Sequence, residues 1–269
     1  MNQTVGFIGC GKMAQAMIGG MIHSKIVTPD QIIASAQSEG TLEEVRRQFE
    51  IQTNLDNRVV AGQADLLFLA VKPYDYKAVI HEVRQSVADE AIIITIAPGV
   101  SFEEMESAFE REMKVIQAMP NTPSLVEAGM SALCPNSKID DKDLAKVVTL
   151  FESFGKVEVI TESQMSAIPS ISGSSPAYVY MMIEAMADGG VAQGLSRDQS
   201  YRLAAQAVLG AAKMVLDTGK HPGELKDEVT SPGGATIAAV TKLEQERFRG
   251  TIMAAMESCS NKVKDMGEE

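Results

Sequence analysis

Residues 5–17 read VGFIGCGKMAQAM. A short apolar run, Val5 to Ile8, leads into Gly9-Cys10-Gly11-Lys12-Met13-Ala14, and a helix-forming segment follows. This is GxGxxA in the setting that gives it meaning, with a strand before it and a helix after it. Gly9 permits the tight turn, and Gly11 lets backbone N–H groups approach a pyrophosphate. Ala14 allows the helix to pack closely on the strand. The start of that helix then stabilises phosphate charge. The stretch predicts a dinucleotide-binding turn and, with it, an α/β fold.

Outward from this turn, the chain keeps alternating. Residues 31–35 (QIIAS), 65–71 (DLLFLAV), 91–96 (AIIITI) and 113–119 (MKVIQAM) read as strands, and the second of these is apolar enough to be covered on both faces. Helix-like segments separate them: 41–50 with Thr41 as its N-cap and acids in its first turn, 76–87, and 101–110. Further candidate strands are 131–134 and 156–160, with a helix over 141–154 between them. Such alternation predicts parallel strands joined by right-handed crossovers. After about residue 162 no strong strand recurs. Residues 174–194 open with Ser and Pro176, a proline suited to the first helical position. Residues 196–219 open with Ser196 and Gln199, a capping box, and close on Gly219. This last helix is rich in Ala, Val and Leu, which predicts burial against a second copy of the chain. The expected division is a dinucleotide-binding domain over 1–162 and a helical domain over 163–269.

The bulk properties exclude several function classes. The chain has 269 residues, 45% of them hydrophobic and 22% charged, as in ordinary globular proteins. Its formal net charge of −12 argues against a nucleic-acid partner. Cys10, Cys134 and Cys259 are scattered, without CxxC spacing, which predicts a reducing compartment and no metal site. There is no basic-then-apolar leader and no run of 18 apolar residues, so a cytoplasmic protein without membrane contact is expected.

The end of the second strand bears on the choice of cofactor. NAD sites usually place an acid there, bonded to the ribose 2′-hydroxyl. This chain has Ser35, Gln37 and Ser38, with Glu39 a little late and Arg46 and Arg47 a helix further on. The missing acid favours NADP(H), with NAD(H) as the alternative. Three strand exits carry prolines: Lys72-Pro73, Ala97-Pro98-Gly99 and Met119-Pro120-Asn121. Carboxyl ends of strands line the ligand crevice in such sheets, so these exits predict its floor.

The second half carries no obvious general base. The β-hydroxyacid dehydrogenases that share the GFIGxGxM start carry a Lys on the first long helix of their second domain, and residues 174–190 contain none. His23, His81 and His221 suit solvated or capping roles. A substrate needing little proton help fits better, such as a C=N bond already protonated. Residues 230–237, TSPGGATI, supply what such a substrate would need. Ser231 can cap, Pro232 preorganises the entry, and Gly233-Gly234-Ala235 expose successive N–H groups to an anion the size of a carboxylate. Thr236 adds a hydroxyl beside them. A plain helix cap is the alternative reading.

With these residues in view, the chain resembles the pyrroline-5-carboxylate reductase family along nearly its whole length. The resemblance lies in GFIGCGKMAQAM (6–17), FLAVKP (68–73), AMPNTP (118–123), SGSSPAY (172–178) and above all HPGELKDEVTSPGGATIAAVTKLE (221–244). It implies a Rossmann-type domain followed by an all-helical dimerisation domain, with the dimer as the unit and a decamer of five dimers in some members. It implies reduction of 1-pyrroline-5-carboxylate to L-proline by NAD(P)H, the last step of proline biosynthesis. By carry-over, Ser231, Gly234, Ala235 and the catalytic Thr236 hold the substrate's carboxylate and imine nitrogen, with Glu228 and Val229 beside them. Ile8, Gly9, Cys10, Gly11, Lys12, Met13, Ser35, Asn57, Ala70, Val71, Lys72, Pro73, Ala97, Pro98 and Gly99 would contact the cofactor, joined by Gln37 at the second strand's exit. The substrate loop would come from the partner subunit. Many members have Asn-Arg or Ser-Arg where this chain has Ala36-Gln37, and Ala where it has Pro98.

Overall fold

Four strands are buried at every residue: β1 (Val5–Ile8), β2 (Ile32–Ser35), β4 (Leu66–Leu69) and β5 (Ile92–Thr95). A short polar strand, β3 (Gln52–Asn54), pairs on β2 at one edge. Beyond β5 come β6 (Lys114–Met119), β7 (Gly129–Pro135) and β8 (Gly155–Val159), completing one eight-stranded sheet in the order β3-β2-β1-β4-β5-β6-β7-β8. The computed structural model describes residues 3–97 and 99–268.

Successive side chains of a strand point to opposite faces, so each apolar strand feeds two cores. Val5, Phe7, Leu66 and Phe68 join one core, under the helices α1 (Lys12–His23), α2 (Glu39–Phe49) and α6 (Asp141–Glu152). Ile8, Leu67 and Leu69 join the other, under α3 (Asn57–Gln63), α4 (Tyr76–Val83) and α5 (Phe102–Phe109). In the first core Phe7 stacks on Phe68 with centroids 4.5 Å apart, and Phe151 of α6 packs against Phe68. Having run outward through β2 and β3, the chain returns to the other side of β1 to form β4. The β1/β4 boundary is therefore the topological switch point.

The structure corrects several sequence expectations. The sheet is not wholly parallel, because β6 and β7 pair antiparallel. Their link contains only a 3-10 turn, Thr122–Val126, which is too short for a parallel crossover. The N-cap of α2 is Ser38 rather than Thr41, since Ser38 Oγ accepts from the Thr41 N–H at 3.3 Å. Strand β3 and helix α3 escaped the sequence reading because β3 is short and polar. It is held by pairing at the sheet edge rather than by an apolar pattern.

The rest of the chain is helical: α7 (Glu162–Met165), a π-helical turn over Pro169–Gly173, α8 (Ser175–Ala192), α9 (Arg197–Thr218), α10 (Pro222–Glu228), α11 (Ala235–Gln245) and α12 (Phe248–Glu268). Pro176 is the second residue of α8 rather than the first. The capping box of Ser196 and Gln199 opens α9, and Gly219 closes it in the left-handed region at φ 64°. Two compact units result: one runs to Ser174 and takes in the chain from Cys259, and the other is Ser175–Ser258. Within the second unit only Ala187, Ser200 and Ala204 are buried, while Leu203 is 60% and Leu216 is 79% exposed. No helix among the described residues is long and apolar enough to cross a membrane.

Candidate active site

The turn after β1 is shaped by two glycines. Gly9 sits at φ +92°, and a Cβ there would lie 2.6 Å from the Ala70 carbonyl oxygen, so no side chain fits. Its N–H donates to the Ser35 carbonyl at 3.1 Å, tying the exits of β1 and β2 together. Gly11 is the N-cap of α1 and has no side-chain cap. A Cβ on Gly11 would meet nothing within 4 Å, so its absence leaves open space at the helix start. The first-turn N–H groups of α1 thus face a cradle that suits a pyrophosphate.

Around this cradle lies a cleft of about 900 Å³ at the carboxyl ends of the strands. Gly9 to Met13, Gln37, Ala70 to Pro73 and Ala97 all line it, as do Ser38, Thr41, Met119 and Asn121. Ile8 and Ser35 do not line it; both are buried in its walls. Ser35 Oγ donates to Asn57 Oδ1 at 2.7 Å, and Asn57 Nδ2 donates to Glu82 Oε2 at 2.9 Å, a chain that ties the β2 exit to α3 and α4. Gly99 lines a neighbouring cavity of about 360 Å³ with Gln117, Met119 and Glu162. Pro98, expected at the cofactor, lies outside the described residues.

The charges suit an anionic dinucleotide. Lys12 and Lys72 line the cleft, and Asp75 is the acid among its lining residues. Glu39 and Arg46 do not line it. Arg46 reaches Glu39 at 3.5 Å and donates through Nε to Thr53 Oγ1 at 3.0 Å. Cys10 is buried, and desolvation pushes its thiol up to about 12, so it is a neutral wall and no nucleophile. The glycine cradle, the two lysines and the neutral β2 exit together fit a nicotinamide dinucleotide. Among the described residues, no cluster of three His, Cys, Asp or Glu could hold a metal.

The TSPGGATI segment is built as a helix entry of its own. Gly233 turns the chain at φ +70°, and the Gly234 N–H donates to the Ser231 carbonyl at 3.0 Å. Gly234, not Ser231, is the N-cap of α11, and no side chain caps the helix. The expectation that Ser231 caps it is thereby corrected: its backbone carbonyl closes the turn while its exposed hydroxyl stays outside. The first N–H groups of α11 have no intrahelical partner, and Thr236, in that first turn, is exposed. Glu228 pairs with Lys220, and Val229 is 64% exposed. His221 caps α10, its Nδ1 accepting from the Gly223 N–H at 3.0 Å.

Sequence reasoning passed over one buried residue beneath the cleft, Tyr76, whose hydroxyl bonds at the exits of both β4 and β5. Its only sequence signal was the second of two tyrosines, Tyr74 and Tyr76, that follow the Lys72-Pro73 exit.

A doubly wound sheet with a glycine turn and an open cleft at its switch point defines the class as a dinucleotide-dependent oxidoreductase. Comparison with known proteins narrows this class. Residues 162–266 match the family model for pyrroline-5-carboxylate reductase dimerisation, and residues 4–99 match one described as NADP oxidoreductase, coenzyme F420-dependent. The chain is 44% identical to the pyrroline-5-carboxylate reductase of Escherichia coli K12 over 268 residues, the full length of both. It is 37% identical to that of Arabidopsis thaliana, covering 98% of this chain and 95% of the relative. Among solved structures, the pyrroline-5-carboxylate reductase of Coxiella burnetii superposes with a TM-score of 0.91 at 32% identity, covering 98% of each chain. The Plasmodium falciparum pyrroline carboxylate reductase with NADP bound gives 0.89 at 32% identity, covering 99% of this chain and 98% of that one. The chain belongs to the pyrroline-5-carboxylate reductase family.

Proposed function

We propose that this protein reduces 1-pyrroline-5-carboxylate to L-proline with a nicotinamide cofactor, the closing step of proline biosynthesis. The observation that carries the reading is the uncapped start of α11, a carboxylate-sized anion site with one hydroxyl beside it, in a chain whose other unit holds a dinucleotide cradle. When bound, the cofactor supplies a hydride to the carbon of the C=N bond. The protein's part is to hold and to orient. The Ala235 backbone N–H, with the Ser231 hydroxyl, would take the carboxylate, and Gly234, whose own N–H is held by the Ser231 carbonyl, leaves the helix start open to it. Thr236 would hydrogen-bond the ring nitrogen and hold the proton there, and Glu228 and Val229 would flank the ring. Positioning and anion binding do most of the work, which suits a site with no strong base.

NADP(H) is placed ahead of NAD(H). The β2 exit offers Ala36, Gln37, Ser38 and Thr41 to the cleft, with no acid to repel a 2′-phosphate, and Arg46 leaves Glu39 partly neutralised. Lys12 and Lys72 would serve the phosphates. The working unit is a homodimer, with 1–162 as the dinucleotide-binding domain and 163–269 as the substrate and dimerisation domain. Support comes from the apolar side chains that the helical unit leaves uncovered, Leu203 and Leu209 on α9 among them. In that dimer the TSPGGATI loop of one copy completes the cleft of the other. Three free thiols suit the cytoplasm.

The test is direct. Purified protein is mixed with 1-pyrroline-5-carboxylate, and nicotinamide absorbance is followed with NADPH and NADH in parallel. Oxidation coupled to proline formation is expected, faster with NADPH. A folded protein that oxidises neither cofactor would contradict the reading.

A further inference from the structure

Strands β4 and β5 pair in parallel with Leu69 opposite Thr95. At their carboxyl ends the ladder opens: the bond from the Ile96 N–H to the Leu69 carbonyl is stretched to 3.5 Å. The Tyr76 hydroxyl sits in this gap. It donates to the Leu69 carbonyl at 2.5 Å, and it accepts from the Ile96 N–H at 3.2 Å and from Thr95 Oγ1 at 2.9 Å. A phenol has one proton and two lone pairs, so this hydroxyl is saturated. The side chain is 2% exposed, and burial pushes the phenol up to about 12, so it stays a neutral donor at any pH where the enzyme is assayed.

The location gives the contact its meaning. Leu69 leads directly into Ala70-Val71-Lys72, and Ile96 leads into Ala97, and Ala70, Val71, Lys72, Ile96 and Ala97 line the dinucleotide cleft. The two strand exits beside the switch point thus keep only a long backbone bond and are bridged in addition by an inserted hydroxyl. We propose that Tyr76 is a positioning residue whose hydroxyl acts as a spacer, setting the separation of the β4 and β5 exits and so the width of the cleft where the cofactor lies. The proposal rests on the cofactor reading given above.

Tyr76→Phe tests it. The ring and its packing stay, but the spacer atom goes, and Ile96 N–H is free to close on the Leu69 carbonyl to about the usual 2.9 Å. A shift of well under an ångström at a cofactor-lining backbone is expected to weaken NADPH binding about tenfold, read as Kd by fluorescence titration, with kcat down about threefold. KM for pyrroline-5-carboxylate should stay within about twofold of wild type, a split that general destabilisation does not produce. A Kd for NADPH within about twofold of wild type, whatever happens to Tm, would overturn the proposal and leave Tyr76 a structural bond only. Should Tyr76→Phe fail to fold, Thr95→Val decides. It keeps the side-chain shape, removes one donor from the hydroxyl, and is expected to raise the NADPH Kd about threefold, while no change would overturn the spacer. Wild-type protein that binds neither NADPH nor NADH would be a different failure, that of the cofactor reading itself, and would take the proposal down with it.

Discussion

The sheet unit and the helical unit treat their apolar side chains in opposite ways. In the first, Phe7, Phe68, Phe151 and Phe154 are fully buried, and every residue of β1, β2, β4 and β5 is covered. In the second, Leu203, Leu209, Met214 and Leu216 stay about half exposed or more, and three small residues are the whole of its buried set. Leaving that much apolar surface in water costs about 25 cal/mol for each Å² not buried. One unit therefore completes its core, and with it a cofactor cleft, inside a single chain. The other has its fold written by caps and helix contacts and leaves its apolar surface uncovered within one chain, a surface that the proposed dimer would bury. The candidate sites divide the same way: the cradle at Gly9 and Gly11 belongs to the unit with a closed core, and the TSPGGATI entry belongs to the unit whose apolar side chains stay exposed.

The comparison can be broken most severely at Gly9. Gly9→Val would put a branched side chain at φ +92° against the Ala70 carbonyl, and NADPH affinity is expected to fall about a hundredfold or more. Fluorescence titration reads this, and near-normal binding would mean that the turn is no cradle. The helical unit is attacked next. Leu203→Glu with Leu209→Glu places charges on the exposed face of α9 and is expected to yield monomers by sedimentation, with turnover down about fiftyfold. NADPH binding by the sheet unit should survive, and a dimer that persists would contradict the division. Thr236→Ala then sharpens the account of the site. It should lower kcat about thirtyfold and leave the NADPH Kd unchanged, and equal losses in both would remove Thr236 from the chemistry.

The smallest effect concerns the sheet unit's own stability. The Asp143 carboxyl accepts from Lys146 Nζ at 2.7 Å and from Lys114 Nζ at 3.0 Å, and these bonds, Lys146 first, hold it below its ordinary value of 3.8. A lowered carboxylate contributes stability above pH 3.8 and loses it as the pH falls further, through its folded-state value. Asp143→Asn should therefore cost about 1 kcal/mol near neutral pH and progressively less as the pH falls below 3.8 and through the carboxyl's lowered folded-state value. A Tm difference that persists undiminished in acid would show that the ion pair is not the cause.

Much of this was legible in the residues. The strand, glycine turn and helix at 5–17 announced the switch-point cleft, and the capping box at Ser196 announced α9 to the residue. What stayed hidden was held by tertiary contact. Strand β3, QTN, has no apolar pattern, and its pairing with β2 makes it a strand. The reversal of β7 depends on the length of a turn between two elements, which periodicity does not register. The cap of α11 moved from Ser231 to Gly234 because Gly233 bends backward, a choice that the SPGG spacing leaves open. Tyr76 was only the first residue of a helix-like segment in the sequence, since only its hydrogen bonds to Leu69, Thr95 and Ile96 reveal what its hydroxyl does.

The most direct test of the central claim is complementation between two crippled chains. Gly9→Val spoils the cleft and keeps the loop, while Thr236→Ala spoils the loop and keeps the cleft. The two are mixed, allowed to exchange subunits, and assayed for pyrroline-5-carboxylate-dependent NADPH oxidation. If each loop serves the other copy's cleft, every mixed dimer holds one intact site, and activity should recover to about a quarter of wild type. Activity that stays at the level of the separate variants, although mixed dimers form, would mean that each chain uses its own loop, and the proposed division between the two units would be wrong.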